Sequence, residues 1–151
     1  MKNCTPGMRE YELHALLNYS VTKQGIDDFS FPAIIATGKN AMYPHYEGRG
    51  SIIQAGDLVL IDCGVEVEGY ASDITRTFPA NGKFTSSQKL LYELVLSAHD
   101  SGIAMIQPGE TLRSVHERMF RILANGLLKL GIIASLDSAH EITLHGFCHF
   151  L

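Results

Sequence analysis

The sequence predicts an α+β domain on three grounds: amphipathic segments with helix start and stop signals, a pair of short β-branched runs between them, and an apolar share of 46%. At 151 residues and 19% charged side chains, the chain has the composition of one ordinary globular domain and not of a disordered segment. Folding at that length buries roughly two-thirds of the surface of the unfolded chain, so a core needs no help from disulfides. Lys and Arg number 12 against 16 Asp and Glu, a formal net charge of -4. That balance lacks the basic excess that phosphate backbones demand, and nucleic acid is not an expected partner.

Cys4, Cys63 and Cys148 are odd in number and show no short-range pairing pattern, which fits a reducing cytoplasm better than a secreted scaffold. The start, Met1 to Gly7, has no apolar core of the kind a signal peptide needs, and Leu127 to Leu136 is too short to span a bilayer. A soluble cytoplasmic protein with no membrane partner is expected.

The elements follow in chain order. Pro6-Gly7 opens a segment with apolar positions Tyr11, Leu13, Leu16, Leu17 and Val21, predicting a helix from about Arg9 to Gln24 that stops at Gly25. Between Asp27 and Gly50, punctuation by Pro32, Gly38, Asn40, Pro44 and Gly48 leaves room only for a short strand within Phe31–Thr37 and puts His45 in an irregular stretch. Leu58 to Asp62, after a Gly56-Asp57 turn, and Tyr70 to Phe78 read as a hairpin. Thr85-Ser86-Ser87-Gln88 matches a capping box and starts a helix running to about Ile106. After Pro108-Gly109, a third helix from about Thr111 to Leu130 is expected to bury Leu112, Val115, Met119, Ile122 and Leu123. The pattern Pro-Gly, helix, Gly-Ile occurs at Pro6 to Ile26 and again at Pro108 to Ile132, which chance punctuation or an internal duplication would each produce.

Asp62 and Asp73 carry the clearest chemistry. A turn at Val67-Glu68 sets them opposite each other on one face of the hairpin, and a turn that uses Gly69 makes them diagonal neighbours on that same face. Two such carboxylates repel unless a cation bridges them, and hard divalent ions take carboxylate and imidazole ligands. The plain alternative is a turn aspartate beside Gly64 and a surface strand aspartate. His145 and His149, four apart, share one side of a helix or strand, without the Glu of a zinc-protease helix. His45 taken alone reads as a loop histidine. His14, His99, His116 and His140 read as surface or capping residues, and Cys63 and Cys148 as packing residues.

Three strings join these groups: HYEGR from His45, GDLVLIDCGVEVEGYASDITRTFPANGKFT from Gly56 to Thr85, and LHGFCHF from Leu144 to Phe150. Together they resemble the Xaa-Pro aminopeptidase, or aminopeptidase P, branch of the pita-bread metallopeptidases. The DITRTFP ending and His45-Tyr46 look more like this branch than like methionine aminopeptidases. The resemblance implies a fold of two pseudo-symmetric halves of helices around a curved antiparallel sheet, helices packed on one face. It implies Asp62, Asp73 and His149 as ligands of a two-ion centre, Asp73 bridging, with Mn²⁺ first and Co²⁺ or Zn²⁺ as alternatives. It implies His45 and His145 as the histidines that hold substrate and assist the tetrahedral intermediate. The reaction implied is hydrolysis of the N-terminal peptide bond preceding proline, the paired ions polarising the carbonyl and acidifying water.

The family's site is completed by two glutamates that follow the histidine motif, and Glu141 matches neither. Residues 1–151 are therefore expected to be an incomplete catalytic domain: the first pseudo-symmetric half plus the start of the second. Weak or single-metal binding, negligible turnover by the chain alone and a homo-oligomer follow as expectations. A peptide-binding module without catalysis, a methionine aminopeptidase and a creatinase-like amidinohydrolase remain as alternative readings.

Overall fold

The structure, a computed structural model, describes residues 1–137 and forms two compact units, Met1–Phe84 and a helical unit beginning at Thr85. The first unit starts with a Thr5-Pro6-Gly7-Met8 turn, closed by the Met8 N–H on the Thr5 carbonyl at 3.2 Å, in which Gly7 takes φ 95°. Proline then glycine at the two central positions is the chemistry of a type II turn. Helix α1, Glu10–Thr22, follows. Glu12 reaches back to accept the Arg9 N–H at 2.7 Å, which secures the helix start.

A three-stranded antiparallel sheet has the order β1 (Ile34–Thr37), β2 (Leu58–Cys63), β5 (Ile74–Pro79). A smaller ribbon, β3 (Glu66–Val67) with β4 (Tyr70–Ala71), forms the end of the same hairpin. Its turn is Glu68-Gly69, with φ 52° and 82°, rather than Val67-Glu68. Positive φ at both central residues is the hairpin turn whose twist matches the flanking strands, and glycine adopts it without strain. The register that results pairs Val59 with Phe78, Ile61 with Arg76 and Asp62 with Thr75.

Strand alternation then separates two faces. Ile35, Val59 and Phe78 share one, and form a core with Cys4, Leu13, Ile53 and Ala80, with Leu16 and Leu17 of α1 packed against it. Asp62 and Thr75 share the other. The sheet joins β1 to β2 as well as β2 to β5, so the hairpin gains a third strand that its own residues do not announce.

In the second unit, α2 (Ser86–Met105) and α3 (Leu112–Lys129) are capped by Thr85 and Thr111, whose hydroxyls accept the Gln88 and Ser114 N–H groups. They pack closely because Gly102 lies under Met119 and Gly126 under Leu94. The buried face of α3 is Leu123, Ala124 and Leu127. Leu112, expected on that face, is 77% exposed. It occupies the first helical position, beside the Pro108-Gly109 turn. Here the Glu110 N–H closes on the Gln107 carbonyl at 3.1 Å and Gly109 takes φ 97°, the geometry of the turn at Pro6-Gly7. Among the described residues no helix is long and apolar enough to cross a membrane.

Candidate active site

Asp62 sits on β2, half-buried, and its Oδ1 accepts the Thr75 hydroxyl at 2.7 Å. Thr75 is its cross-strand partner, so the hydroxyl fixes the carboxylate's orientation on that face of the sheet. Asp73 stands just before β5 and two residues before Thr75, the residue paired with Asp62. The hairpin therefore brings the two aspartates to neighbouring positions, Asp62 within the ladder and Asp73 just before it. Both act on Cys63: burial pushes its thiol above the ordinary range, and the charges of Asp62 and Asp73 push it further.

The backbone around Asp73 is drawn tight by Gly64. A Cβ at Gly64 would run into the Ser72 carbonyl and the Ser30 hydroxyl, which themselves hydrogen-bond at 2.6 Å. The Ser30 N–H donates to the Gly64 carbonyl at 3.1 Å, and the Ser72 N–H to the Val65 carbonyl at 3.0 Å. Glycine after the aspartate-cysteine pair therefore lets two chain segments close beside the acidic pair.

His45 lies exposed on the segment between a 3₁₀ turn, Gly38–Met42, and Gly50. Its neighbour Tyr46 turns inward to Glu10, the first residue of α1, which is 0% exposed. Glu10 Oε1 accepts the Thr37 N–H and the Asn40 amide, each at 2.9 Å. Oε2 accepts the Tyr46 hydroxyl at 3.0 Å and the Ser51 N–H at 3.2 Å. Burial first, and the Glu10 carboxylate with it, hold the Tyr46 hydroxyl above its ordinary range against the opposing Ser51 bond. The backbone of Arg49–Ile53 is zipped to the start of α1, with the Glu10 and Tyr11 N–H groups donating to the Ser51 and Arg49 carbonyls at 3.0 and 2.8 Å.

His145 and His149 lie outside the described residues, as do His140, Glu141 and Cys148. Among the described residues no group of three His, Cys, Asp or Glu closes on a point that could hold a metal ion. Glu10, Asn40 and Tyr46 were missed by sequence reasoning. An acid in the first turn of a helix ordinarily signals favourable interaction with the helix dipole, and that position gives no sign that the side chain is buried.

The whole chain, residues 1–151, matches the model of metallopeptidase family M24. The chain belongs to that family. It is 38% identical over 158 residues to the Xaa-Pro aminopeptidase of Escherichia coli, covering 100% of this chain and 36% of that protein. It is 37% identical over 163 residues to the Xaa-Pro dipeptidase of Rattus norvegicus, covering 100% of this chain and 33% of that protein. The solved aminopeptidase PepP of Pseudomonas aeruginosa superimposes with a TM-score of 0.87 at 44% identity, over 93% of this chain and 33% of that one. This M24 chain therefore spans about a third of the length of the relatives it matches, and within that span it has the pita-bread fold of aminopeptidase P.

Proposed function

We propose that this M24 chain supplies part of a metal-dependent exopeptidase site that hydrolyses the N-terminal peptide bond preceding proline. In this reading Asp62, Asp73 and His149 are ligands of divalent ions, with Asp73 bridging, and His45 and His145 face the substrate. The observation that carries it is the hairpin that brings Asp62, on β2, and Asp73, just before β5, to neighbouring positions within a chain 38% identical to an Xaa-Pro aminopeptidase.

The donor set fits such ions: two hard carboxylates and an imidazole suit Mn²⁺, with Co²⁺ and Zn²⁺ as alternatives. Bound there, divalent ions would supply Lewis-acid polarisation of the scissile carbonyl and acidification of water. The protein's own part is geometric and electrostatic. Thr75 orients the Asp62 carboxylate through its hydroxyl. An imidazole beside the developing oxyanion, the role given to His45 or His145, donates a hydrogen bond that strengthens in the transition state and so raises rate rather than ground-state affinity.

The near-equal match to an Xaa-Pro dipeptidase supports a second reading, in which the substrate is a dipeptide. We further infer that residues 1–151 comprise the first pseudo-symmetric half of the catalytic domain plus the start of the second, and that the protein is cytoplasmic and self-associating. Turnover by the 151-residue chain alone is expected to be negligible.

A chimera tests the reading, with this chain replacing the matched segment of the E. coli enzyme. Cleavage of Gly-Pro-Xaa tripeptides with Mn²⁺, lost at least a thousandfold in Asp73→Asn, is the expected result. Preference for Gly-Pro dipeptides selects the second reading. Peptide binding without cleavage by a folded, metal-loaded chimera, or cleavage indifferent to Asp73→Asn, overturns both.

A further inference from the structure

We propose that Glu10 is a positioning residue for the His45 imidazole, holding the segment that carries it in one conformation. The proposal rests on the reading of His45 as a substrate-side group.

Met42 and Tyr43 are 80% and 66% exposed, and Pro44, His45 and Glu47 are exposed as well, so apolar burial does not order residues 42–47. The Glu10 carboxylate grips the segment from four directions, beside the backbone bonds from α1 to Arg49 and Ser51. It takes the backbone where the segment leaves β1 at Thr37, the side chain of Asn40 in the 3₁₀ turn, the side chain of Tyr46, and the backbone where the segment returns at Ser51. The two N–H groups of the Asn40 amide are shared among these points, its nitrogen lying 2.9 Å from the Tyr46 hydroxyl and 2.9 Å from the Ser51 Oγ as well.

A buried carboxylate is costly unless its lone pairs are filled, and here four donors fill them. No cation pairs with Glu10 among the ion pairs of the described residues, so the hydrogen bonds carry the charge. Glutamine cannot replace it. Its amide nitrogen would face the Ser51 N–H, donor against donor, at whichever oxygen position it occupied a backbone N–H would be opposed, since Thr37 donates at the other.

Tyr46 transmits the hold to His45. With its ring turned in toward Glu10 and lying where a Cβ of residue 48 would be, the adjacent side chain has its backbone direction fixed; Gly48 leaves the room the phenol needs. The side chain next to an anchored one inherits that anchor's precision, which is what a group donating to a transition state requires.

Amide hydrogen exchange and NMR of the His45 ring in the 151-residue chain test this, using Glu10→Gln and Tyr46→Phe. For Glu10→Gln the expected result is at least a tenfold loss of protection at the Thr37 and Ser51 amides, with His45 ring signals moving toward random-coil positions and amides of β2 unchanged. For Tyr46→Phe the His45 signals move while Thr37 and Ser51 stay protected. If Glu10→Gln does not fold, Tyr46→Phe decides. His45 signals unmoved in the folded variants overturn the proposal. His45→Ala in the chimera with the E. coli enzyme separates the two claims: loss of Gly-Pro-Xaa cleavage supports the substrate-side reading of His45, and unchanged cleavage overturns that reading while the exchange result still decides whether Glu10 holds the segment.

Discussion

His14 shows how a residue's neighbourhood, and not its type, sets its behaviour. A helix-borne histidine is expected at the surface, yet His14 is half-buried on α1, with its Nδ1 3.2 Å from the Asn18 amide nitrogen and Arg49 nearby. Burial first, and the Arg49 charge second, hold the imidazole below its ordinary protonation range. The unfolded chain therefore takes up the proton more readily than the folded one. The resulting stability is present above the unfolded value, about 6.5, and is lost as the pH falls through it toward the lower folded value. Urea titrations between pH 7.5 and 5 are expected to show a falling midpoint, with a shallower decline in His14→Asn. An equal decline in both would assign the effect elsewhere.

The helix pair α2 and α3 turns on two glycines, and the magnitudes decide what a methyl group would do there. Alanine in place of glycine inside a helix is favoured by about 1 kcal/mol through backbone entropy. At Gly126, however, an added Cβ would overlap Cγ and both Cδ atoms of Leu94, so rotating the end of that side chain does not clear it. Overpacking of this kind costs about 1–3 kcal/mol. Gly126→Ala is therefore expected to destabilise the second unit by up to about 2 kcal/mol net, read as a lower thermal midpoint by helical circular dichroism. The two Pro-Gly turns also belong here. Their matched hydrogen bonds and glycine φ values, 95° and 97°, make the repeated pattern in the sequence a repeated geometry.

For the molecule as a whole, the exposed apolar surface is the quantity with consequences. Leu90, Ile103, Ile106 and Leu112 are all more than half exposed, in a chain that spans about a third of its relatives' length. Apolar surface left to water favours association. Sedimentation of the 151-residue chain is expected to show species larger than its 16.6 kDa mass, growing with concentration. A single 16.6 kDa species at every concentration would count against self-association.

Local chemistry made the helices and the hairpin legible in the sequence. Thr85 and Thr111 cap where their hydroxyls can reach a backbone N–H three residues on, and Gly69 supplies the turn, because each of these effects acts within a few residues. The placement of Asp62 and Asp73 on the two arms of one hairpin was legible for the same reason, since it survives either candidate turn. What α3 buries was read less well: periodicity marks an apolar stripe but not how far the partner helix covers it, and Leu112 lies beyond that cover. Glu10 required the tertiary structure altogether. Its four donors come from residues 27 to 41 positions away, and no local pattern encodes a charge whose burial is made tolerable only when distant segments fold onto it.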